Sequence, residues 1–375
     1  MALSTIGTNQ IASEAVTVPK VTDQVLTNRN LIINGAMTID QRHDGSSFTV
    51  VNGNVVTGVI ADRFRVNESS GAVMTGQRVA DAPVGFEYSS KLTVTTADSS
   101  LGSTEFHRII QPIEGKNISN LNWGTSNAKT LTLSFYVKSS VTGQYYISVF
   151  NNAADRTLLK GYTIDSADTW EKKSITIIGD QSGTWLTTNA VGIYLMWSLG
   201  TGSSYQSSTL DAYQAGFYMA KSDQVNIAAS VSSTWQLTGV QLEVGEVATA
   251  FEHEDFATTL YKCQRYYQVV GDYRGIYTGS RWSSTQIYAT YPLACPLRAS
   301  PALSTGGAFP VLNKYDAAQS ASATALVASA AEAPDAFNTA IVLIYTLTGY
   351  TPVANNVYQV SHNGATTFVV VDSEL

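Results

Sequence analysis

The apolar residues of this chain fall mostly into short runs in which every second position is hydrophobic. The run KTLTLSFYV, residues 129–137, places four apolar side chains on one face: Leu131, Leu133, Phe135 and Val137. The run AVGIYLMWSL, residues 190–199, has two apolar faces, with Ile193, Leu195 and Trp197 on one and Tyr194 and Met196 on the other. A period of two residues is typical of β-strands that pack against a core.

About ten such runs lie between residues 29 and 255, separated by Asn, Gly and Ser. No fixed-period repeat is present in the sequence, which disfavours a β-helix or a propeller. The pattern therefore predicts a mainly β fold built on an antiparallel jelly-roll sandwich. Further strand-like runs predict a smaller C-terminal β domain, at residues 286–293, 341–350 and 366–371.

The hydrophobic period changes to that of a helix at EHEDFATTLYKCQRY, residues 252–266. Four residues share one face of this helix: Phe256, Leu260, Cys263 and Tyr267. The helix macrodipole favours acidic residues in the first turn and basic residues near the end, as in Glu252, Glu254 and Asp255, then Lys262 and Arg265. We predict a helix over residues 253–267 that connects the sandwich to the C-terminal domain.

Two segments follow neither period. In residues 1–28, the apolar residues Ile6, Ile11, Val16 and Val21 recur every five positions. This spacing predicts an extended arm that buries them against another subunit, with a frayed terminus as the alternative. The Ala- and Ser-rich segment 317–337 is either a pair of small-residue strands or a loop. The predicted order is an arm at 1–28, a sandwich at 29–252, a connecting helix at 253–267 and a tip domain at 268–375.

The composition narrows the class of partner. Only 14% of residues are charged, against about 25% in a typical globular protein, and the net charge is −7 without any large basic cluster. We therefore expect no nucleic-acid binding through phosphates. No apolar run approaches the length of a membrane span and no secretory signal is evident, so we expect no membrane insertion. Two cysteines do not make a disulfide framework, which indicates folding in a reducing cytoplasm.

The cluster at CQRYYQ, residues 263–268, has the residue types of a reactive site. Cys263 lies on the apolar face of the predicted helix, so we expect a buried, unreactive thiol, with a Cys263–Cys295 disulfide as an alternative. Arg265 is expected to pair with a carboxylate or to bind backbone carbonyls, and at least one of Tyr266 and Tyr267 to pack. The four histidines are scattered and no metal motif is present, so we predict no metal site and no cofactor.

Sugar binding is the positive candidate, because aromatic rings offer flat apolar faces to sugar C–H groups. Residues 272–291 contain the candidate glycan- or receptor-binding residues Tyr273, Arg274, Tyr277, Arg281, Trp282 and Tyr288, together with Asp272 and Tyr291. Packing between domains or subunits is the alternative interpretation. Weaker candidates lie in loop-like stretches of the sandwich: Trp185, Tyr205 and Tyr213. We expect three other aromatic residues in the core: Tyr145, Tyr194 and Trp197.

Several separated motifs resemble those of bacteriophage tail-fibre and virion structural proteins that contain a carbohydrate-binding-module-like jelly roll. They are NLIINGAMTIDQR (30–42), ADRF (61–64), the stretch from Trp235 to Gln268, and YPLACPLRASPALS (291–304). The repeats in the arm are similar to those at the virion-attached end of phage fibres. Related jelly rolls often carry an aspartate for a structural calcium in the last strand, whereas residues 237–240 here are LTGV, which puts such a calcium in doubt.

The resemblance implies a non-enzymatic homotrimer that is made in the host cytoplasm and assembled into a virion. The arm would bind other virion proteins, and the tip domain would bind a host-surface carbohydrate or receptor. A purely structural capsid decoration or a tail or collar component is the first alternative. A polysaccharide depolymerase is the second, and it would need a pair of carboxylates that the sequence alone does not identify.

Overall fold

The computed structural model describes residues 28–50, 58–270, 276–281, 283–299, 301–306, 309–313, 319–325, 340–347, 352, 357–361 and 368–374. The predicted virion-docking residues Ile6, Ile11, Val16 and Val21 lie outside these ranges. No helix in the described part is long and apolar enough to cross a membrane.

Two antiparallel sheets form the sandwich. The six-stranded sheet has the order β1-β4-β5-β13-β7-β10, with strands β1 (Phe48–Val50), β4 (Val73–Val79), β5 (Ser89–Thr96), β7 (Leu131–Ser139), β10 (Glu171–Ile177) and β13 (Thr234–Val244). The seven-stranded sheet has the order β12-β9-β8-β11-β6-β3-β2, with strands β2 (Gly58–Ala61), β3 (Phe64–Glu68), β6 (Phe106–Glu114), β8 (Gly143–Phe150), β9 (Arg156–Ile164), β11 (Val191–Thr201) and β12 (Tyr213–Ala215). The predicted mainly β sandwich is confirmed.

The core lies between the sheets, where side chains of alternate strand positions meet. Phe135 of β7 packs edge-on against Trp197 of β11, with ring centroids 5.9 Å apart. Tyr145 and Trp197 are fully buried, as predicted. Met196 faces the other way, into a second cluster on the outer face of the seven-stranded sheet. Tyr194 also packs on that outer face and is only half-buried, so its assignment to the main core is wrong.

The helix α1 (Phe256–Gln264) is present but shorter than predicted. Asp255 caps it, because its carboxylate accepts a hydrogen bond from the Thr258 amide at 2.9 Å. The helix therefore begins after Asp255, and the acidic residues precede its first turn. Phe256 is 60% exposed and Thr259 and Cys263 are buried instead. The expected burial of Phe256 is therefore wrong.

The C-terminal part is also β. A three-stranded sheet has the order β14-β22-β17, with strands β14 (Tyr267–Val270), β17 (Ala302–Gly306) and β22 (Phe368–Asp372). A closed six-stranded barrel has the order β15-β16-β20-β19-β18-β21, with strands β15 (Ile276–Arg281), β16 (Gln286–Pro292), β18 (Phe309–Asn313), β19 (Gln319–Ala325), β20 (Ala340–Leu347) and β21 (Val357–Ser361). Part of the Ala- and Ser-rich segment 317–337 forms strand β19. A strand was one of the two conformations that the sequence allowed for this segment.

Candidate functional site

Segment 272–291 includes strands β15 and β16, which are neighbours in the closed barrel. Tyr273, Arg274 and Trp282 lie outside the described residues, as does the side chain of Tyr277 in β15. Arg281 is exposed, and its Nε donates to the Ser283 carbonyl at 2.9 Å. Tyr288 of β16 is half-buried. A glycan site in this segment stays a prediction.

The weaker candidates of the sandwich are packed. Trp185 is 6% exposed, meets Trp123 edge-on at 4.7 Å and donates from Nε1 to Asp180 at 3.2 Å. Tyr213 packs beside the Trp185 ring at 5.8 Å. Tyr205 lies edge-on to Phe106 at 5.8 Å. The expectation of an exposed ring is therefore wrong for Trp185.

Sequence reasoning missed a cleft of about 280 Å³ on the outer face of the seven-stranded sheet, which we name the sheet-face cleft. Its lining combines cationic, amide and apolar side chains from β3, β6, β8, β11 and two connecting segments: Arg65, Asn67, Arg108, Ile110, Phe150, Asn152, Ala154, Tyr194 and Phe217. Clefts that bind small molecules usually combine apolar walls with a few convergent polar groups.

Strand register brings the two arginines of the cleft together. In the β3–β6 pair, Arg65 lies opposite Ile110 and Asn67 lies opposite Arg108. Arg65 and Arg108 are thus diagonal neighbours on one face, a relation that places residues about 7–8 Å apart. Both side chains line the same cleft.

An aromatic wall stands beside these cations. Tyr194 and Phe150 are paired across β11 and β8, and their rings stack with centroids 4.8 Å apart and an interplanar angle of 15°. Phe217 meets Phe150 edge-on at 4.9 Å. Tyr194 and Phe217 are both half-buried, so parts of their surfaces remain accessible to a ligand.

The charges of the cleft are poorly compensated within the described part of the chain. The Nε atoms of Arg65 and Arg108 are buried and have no hydrogen-bond partner among the described residues. The Arg108 guanidinium lies 4.3 Å from the Phe106 ring centre and donates to the Met196 sulfur at 3.7 Å. Burial lowers the pKa of Arg65 to about 9 and that of Arg108 to about 10. Both side chains remain cationic at neutral pH.

The residues that first resembled a reactive cluster form a joint between the sandwich and the C-terminal part. Arg265 makes a two-pronged ion pair with the buried Glu114, at 2.9 and 2.6 Å. The Tyr266 hydroxyl donates to the same carboxylate at 2.8 Å, and Arg63 stacks over the Tyr266 ring at 3.5 Å. The predicted pairing of Arg265 is confirmed. Tyr266 and Tyr267 are both buried.

The other half of the joint holds the end of β22. Arg42 stacks over the Tyr267 ring at 3.8 Å and pairs with Asp372 at 3.1 Å. Arg63 pairs with Glu374, and Arg298 donates to the Ser373 carbonyl at 2.8 Å. The joint thus brings together residues from four motifs that are separated in the sequence. These motifs are 30–42, 61–64, 235–268 and 291–304. The motifs on which the resemblance to phage proteins rests therefore help to join the sandwich to the C-terminal part of the chain.

The two thiols are expected to be unreactive in the folded protein. Cys263 and Cys295 are both buried and free, so the alternative of a disulfide is wrong. Burial raises the pKa of Cys263 well above its ordinary value and that of Cys295 to about 11. Since the thiolate is the nucleophile, little reactive species exists at neutral pH. A thiol reagent should modify neither residue until guanidinium chloride unfolds the chain; rapid labelling of folded Cys263 would restore the reactive-site hypothesis.

Comparisons with known proteins assign no family. No family model matches the chain, and no curated protein matches it. The enzymatically active domain of tailspike protein 4 from bacteriophage CBA120 is a structural match at 12% identity and a TM-score of 0.30, covering 49% of this chain and 19% of the tailspike chain. The described residues contain no group of three or more potential metal ligands.

Two further structural matches are a carbohydrate-binding module and a putative sugar binding protein. A family 11 carbohydrate-binding module from Clostridium thermocellum is 11% identical, covers 55% of this chain and 98% of its own, and has a TM-score of 0.27. A putative sugar binding protein from Bacteroides thetaiotaomicron is 11% identical, covers 58% of this chain and 100% of its own, and has a TM-score of 0.31. Likenesses this weak carry no inference about what the chain binds.

Proposed function

We propose that the protein binds a glycan in the sheet-face cleft, without turnover, as a component of a bacteriophage particle. The observation that carries the binding proposal is the juxtaposition of the Phe150–Tyr194–Phe217 wall with two guanidinium groups. Aromatic faces suit sugar C–H groups, and guanidinium and amide groups donate to sugar oxygens.

The polar groups of the cleft favour binding over catalysis. Arg65, Asn67, Arg108 and Asn152 supply guanidinium and amide groups, which neither donate nor accept protons readily at neutral pH. Most glycoside hydrolases act through two carboxylates instead. We therefore propose recognition of the sugar as the mechanism.

The place on a particle is proposed from the sequence motifs. The joint that they build connects the sandwich to the end of the helix and to the three-stranded sheet through ion pairs. A homotrimer would present three clefts to one cell surface, and such multivalency raises the overall affinity without new contacts. The barrel edge around Arg281 would provide the tip contact predicted from the sequence, and the structural-component alternative shares the same joint.

A binding experiment on the full chain tests this proposal. We expect the protein to bind members of an array of bacterial surface polysaccharides, and Tyr194→Ala to weaken that binding at least about tenfold, because it removes one ring of the wall. Lys172→Gln, which removes an exposed charge from β10 in the opposite sheet, serves as the control and should bind like the parent.

Other outcomes would point elsewhere. Loss of binding in Arg281→Gln but not in Tyr194→Ala would place the site in the barrel. Failure of the folded parent to bind any polysaccharide would favour the structural component. Release of reducing ends from a bound polysaccharide would favour the depolymerase.

A further inference from the structure

We infer that the sheet-face cleft selects an acidic sugar, whose carboxylate lies between Arg65 and Arg108 while its ring lies against the aromatic wall. This inference rests on the proposed function and names the class of glycan. Uronic acids and sialic acids share the required chemistry, which is a carboxylate attached to a sugar ring.

The placement of the two cations suits a carboxylate. Arg65 and Arg108 are diagonal neighbours across β3 and β6, and each guanidinium presents a rigid fork of donors that matches the two oxygens of a carboxylate. Asn67 lies opposite Arg108 in the same register and is 3% exposed. Its amide can donate to a ring hydroxyl beside the acid group.

Most of the other partly buried arginines of the described chain have a carboxylate partner, which the two arginines of the cleft lack. Six of them lie within 4.0 Å of a carboxylate: Arg29, Arg42, Arg63, Arg78, Arg156 and Arg265. Arg65 and Arg108 have no such ion pair among the described residues. Asp372, which raises the pKa of Arg65 slightly against the effect of burial, is paired with Arg42 at 3.1 Å. A desolvated cation without a counter-charge is costly, and an acidic ligand would supply that charge.

The apolar wall distinguishes a sugar acid from a small inorganic anion. Ile110 and Phe150 are 6% and 5% exposed and line the cleft together with Phe217. A free anion would contact the arginines alone and leave this surface unused. A pyranose ring with an attached carboxylate contacts both parts at once.

The test compares the binding of acidic polysaccharides with the binding of the same polysaccharides after their carboxyl groups have been reduced. The full chain would be titrated with polygalacturonate, alginate, hyaluronan and polysialic acid, each paired with its carboxyl-reduced form. We expect at least one acid to bind about tenfold or more tightly than its reduced partner. Arg65→Gln and Arg108→Gln should each weaken this binding by about 10- to 100-fold, since hydrogen bonds to charged groups are the stronger class.

The control variant is Lys172→Gln, which removes one exposed positive charge from β10 in the opposite sheet. It should bind like the parent. A second readout guards against a misfolded variant: Arg65→Met should raise the thermal unfolding midpoint while it weakens binding, because it removes a poorly solvated charge. A variant that loses both stability and binding would indicate a structural role for Arg65 and overturn the inference.

The outcomes separate the two proposals. Equal binding of acidic and reduced polymers, weakened by Tyr194→Ala but not by Arg108→Gln, would overturn the sugar-acid inference and leave glycan binding intact. No binding of any acidic or reduced polymer by the folded parent would overturn both.

Discussion

Replacing Glu114 by alanine is expected to destabilise the folded protein by about 3–5 kcal/mol, the range for removing one partner of a buried ion pair. Its carboxylate is 1% exposed and accepts hydrogen bonds from both prongs of Arg265 and from the Tyr266 hydroxyl. Without it, one cation and one phenol at the joint lose their acceptor together. The midpoint of urea unfolding, followed by tryptophan fluorescence and circular dichroism, measures the effect.

Two further variants make the Glu114 result interpretable. Glu114→Gln keeps the shape and one acceptor oxygen of the side chain but removes the charge. Its free energy of unfolding should therefore lie between that of the parent and that of Glu114→Ala. Glu246→Ala removes an exposed carboxylate near the end of the sandwich and should change stability by less than about 0.5 kcal/mol. A loss below about 1 kcal/mol in Glu114→Ala would mean that the joint contributes little to the fold.

Replacing Asn34 by leucine is expected to cost about 4 kcal/mol. The Asn34 side chain is buried, donates to the carbonyls of Ile39 and Asp62 at 2.9 and 3.0 Å, and accepts from the Ile39 amide at 2.9 Å. Leucine would remove the partner of the Ile39 amide and of the Asp62 carbonyl, at about 1–3 kcal/mol for each. The Ile39 carbonyl would keep its hydrogen bond from the Asp62 amide at 3.0 Å. Asn34 also has a φ of 61°, a left-handed conformation that costs a leucine about 1–2 kcal/mol more.

Asn34→Gly separates these two causes. Glycine adopts a positive φ without strain, so its loss of stability reports the missing hydrogen bonds alone. Asn127→Leu, at an exposed position in a turn, is the matched control and should be nearly neutral. If Asn34→Leu and Asn127→Leu unfold at the same denaturant concentration, the turn at residues 30–42 has no structural importance.

The periodicity of apolar residues predicted those features that depend only on neighbouring positions in the chain. Because successive strand side chains alternate between faces, the opposite placement of Trp197 and Met196 could be read from the sequence. The helix existed as predicted, but it buries Thr259 and Cys263, and the simple spacing of apolar residues assigned Phe256 incorrectly.

Partners that are distant in sequence could not be predicted. Arg265 and its acceptor Glu114 are separated by 151 positions, and β13 inserts between β5 and β7 although it follows them by a long stretch of chain. The sheet-face cleft requires β3, β6, β11 and β8 to be neighbours in that order. Arg65 and Arg108 are 43 positions apart in the sequence and become neighbours only through the pairing of β3 with β6.

The three-stranded sheet has a consequence for the order of folding during synthesis. Among the described strands, β14 and β17 each pair with β22, which lies between them. Strand β22 begins about 100 residues after β14 ends, a delay of roughly 5–20 s at ribosomal speeds. The sandwich strands, which end at Val244, are complete before then. Until β22 has been synthesised, β14 and β17 lack this partner strand. During the same interval Arg42 and Arg63 lack the carboxylates of Asp372 and Glu374 with which they pair in the folded protein.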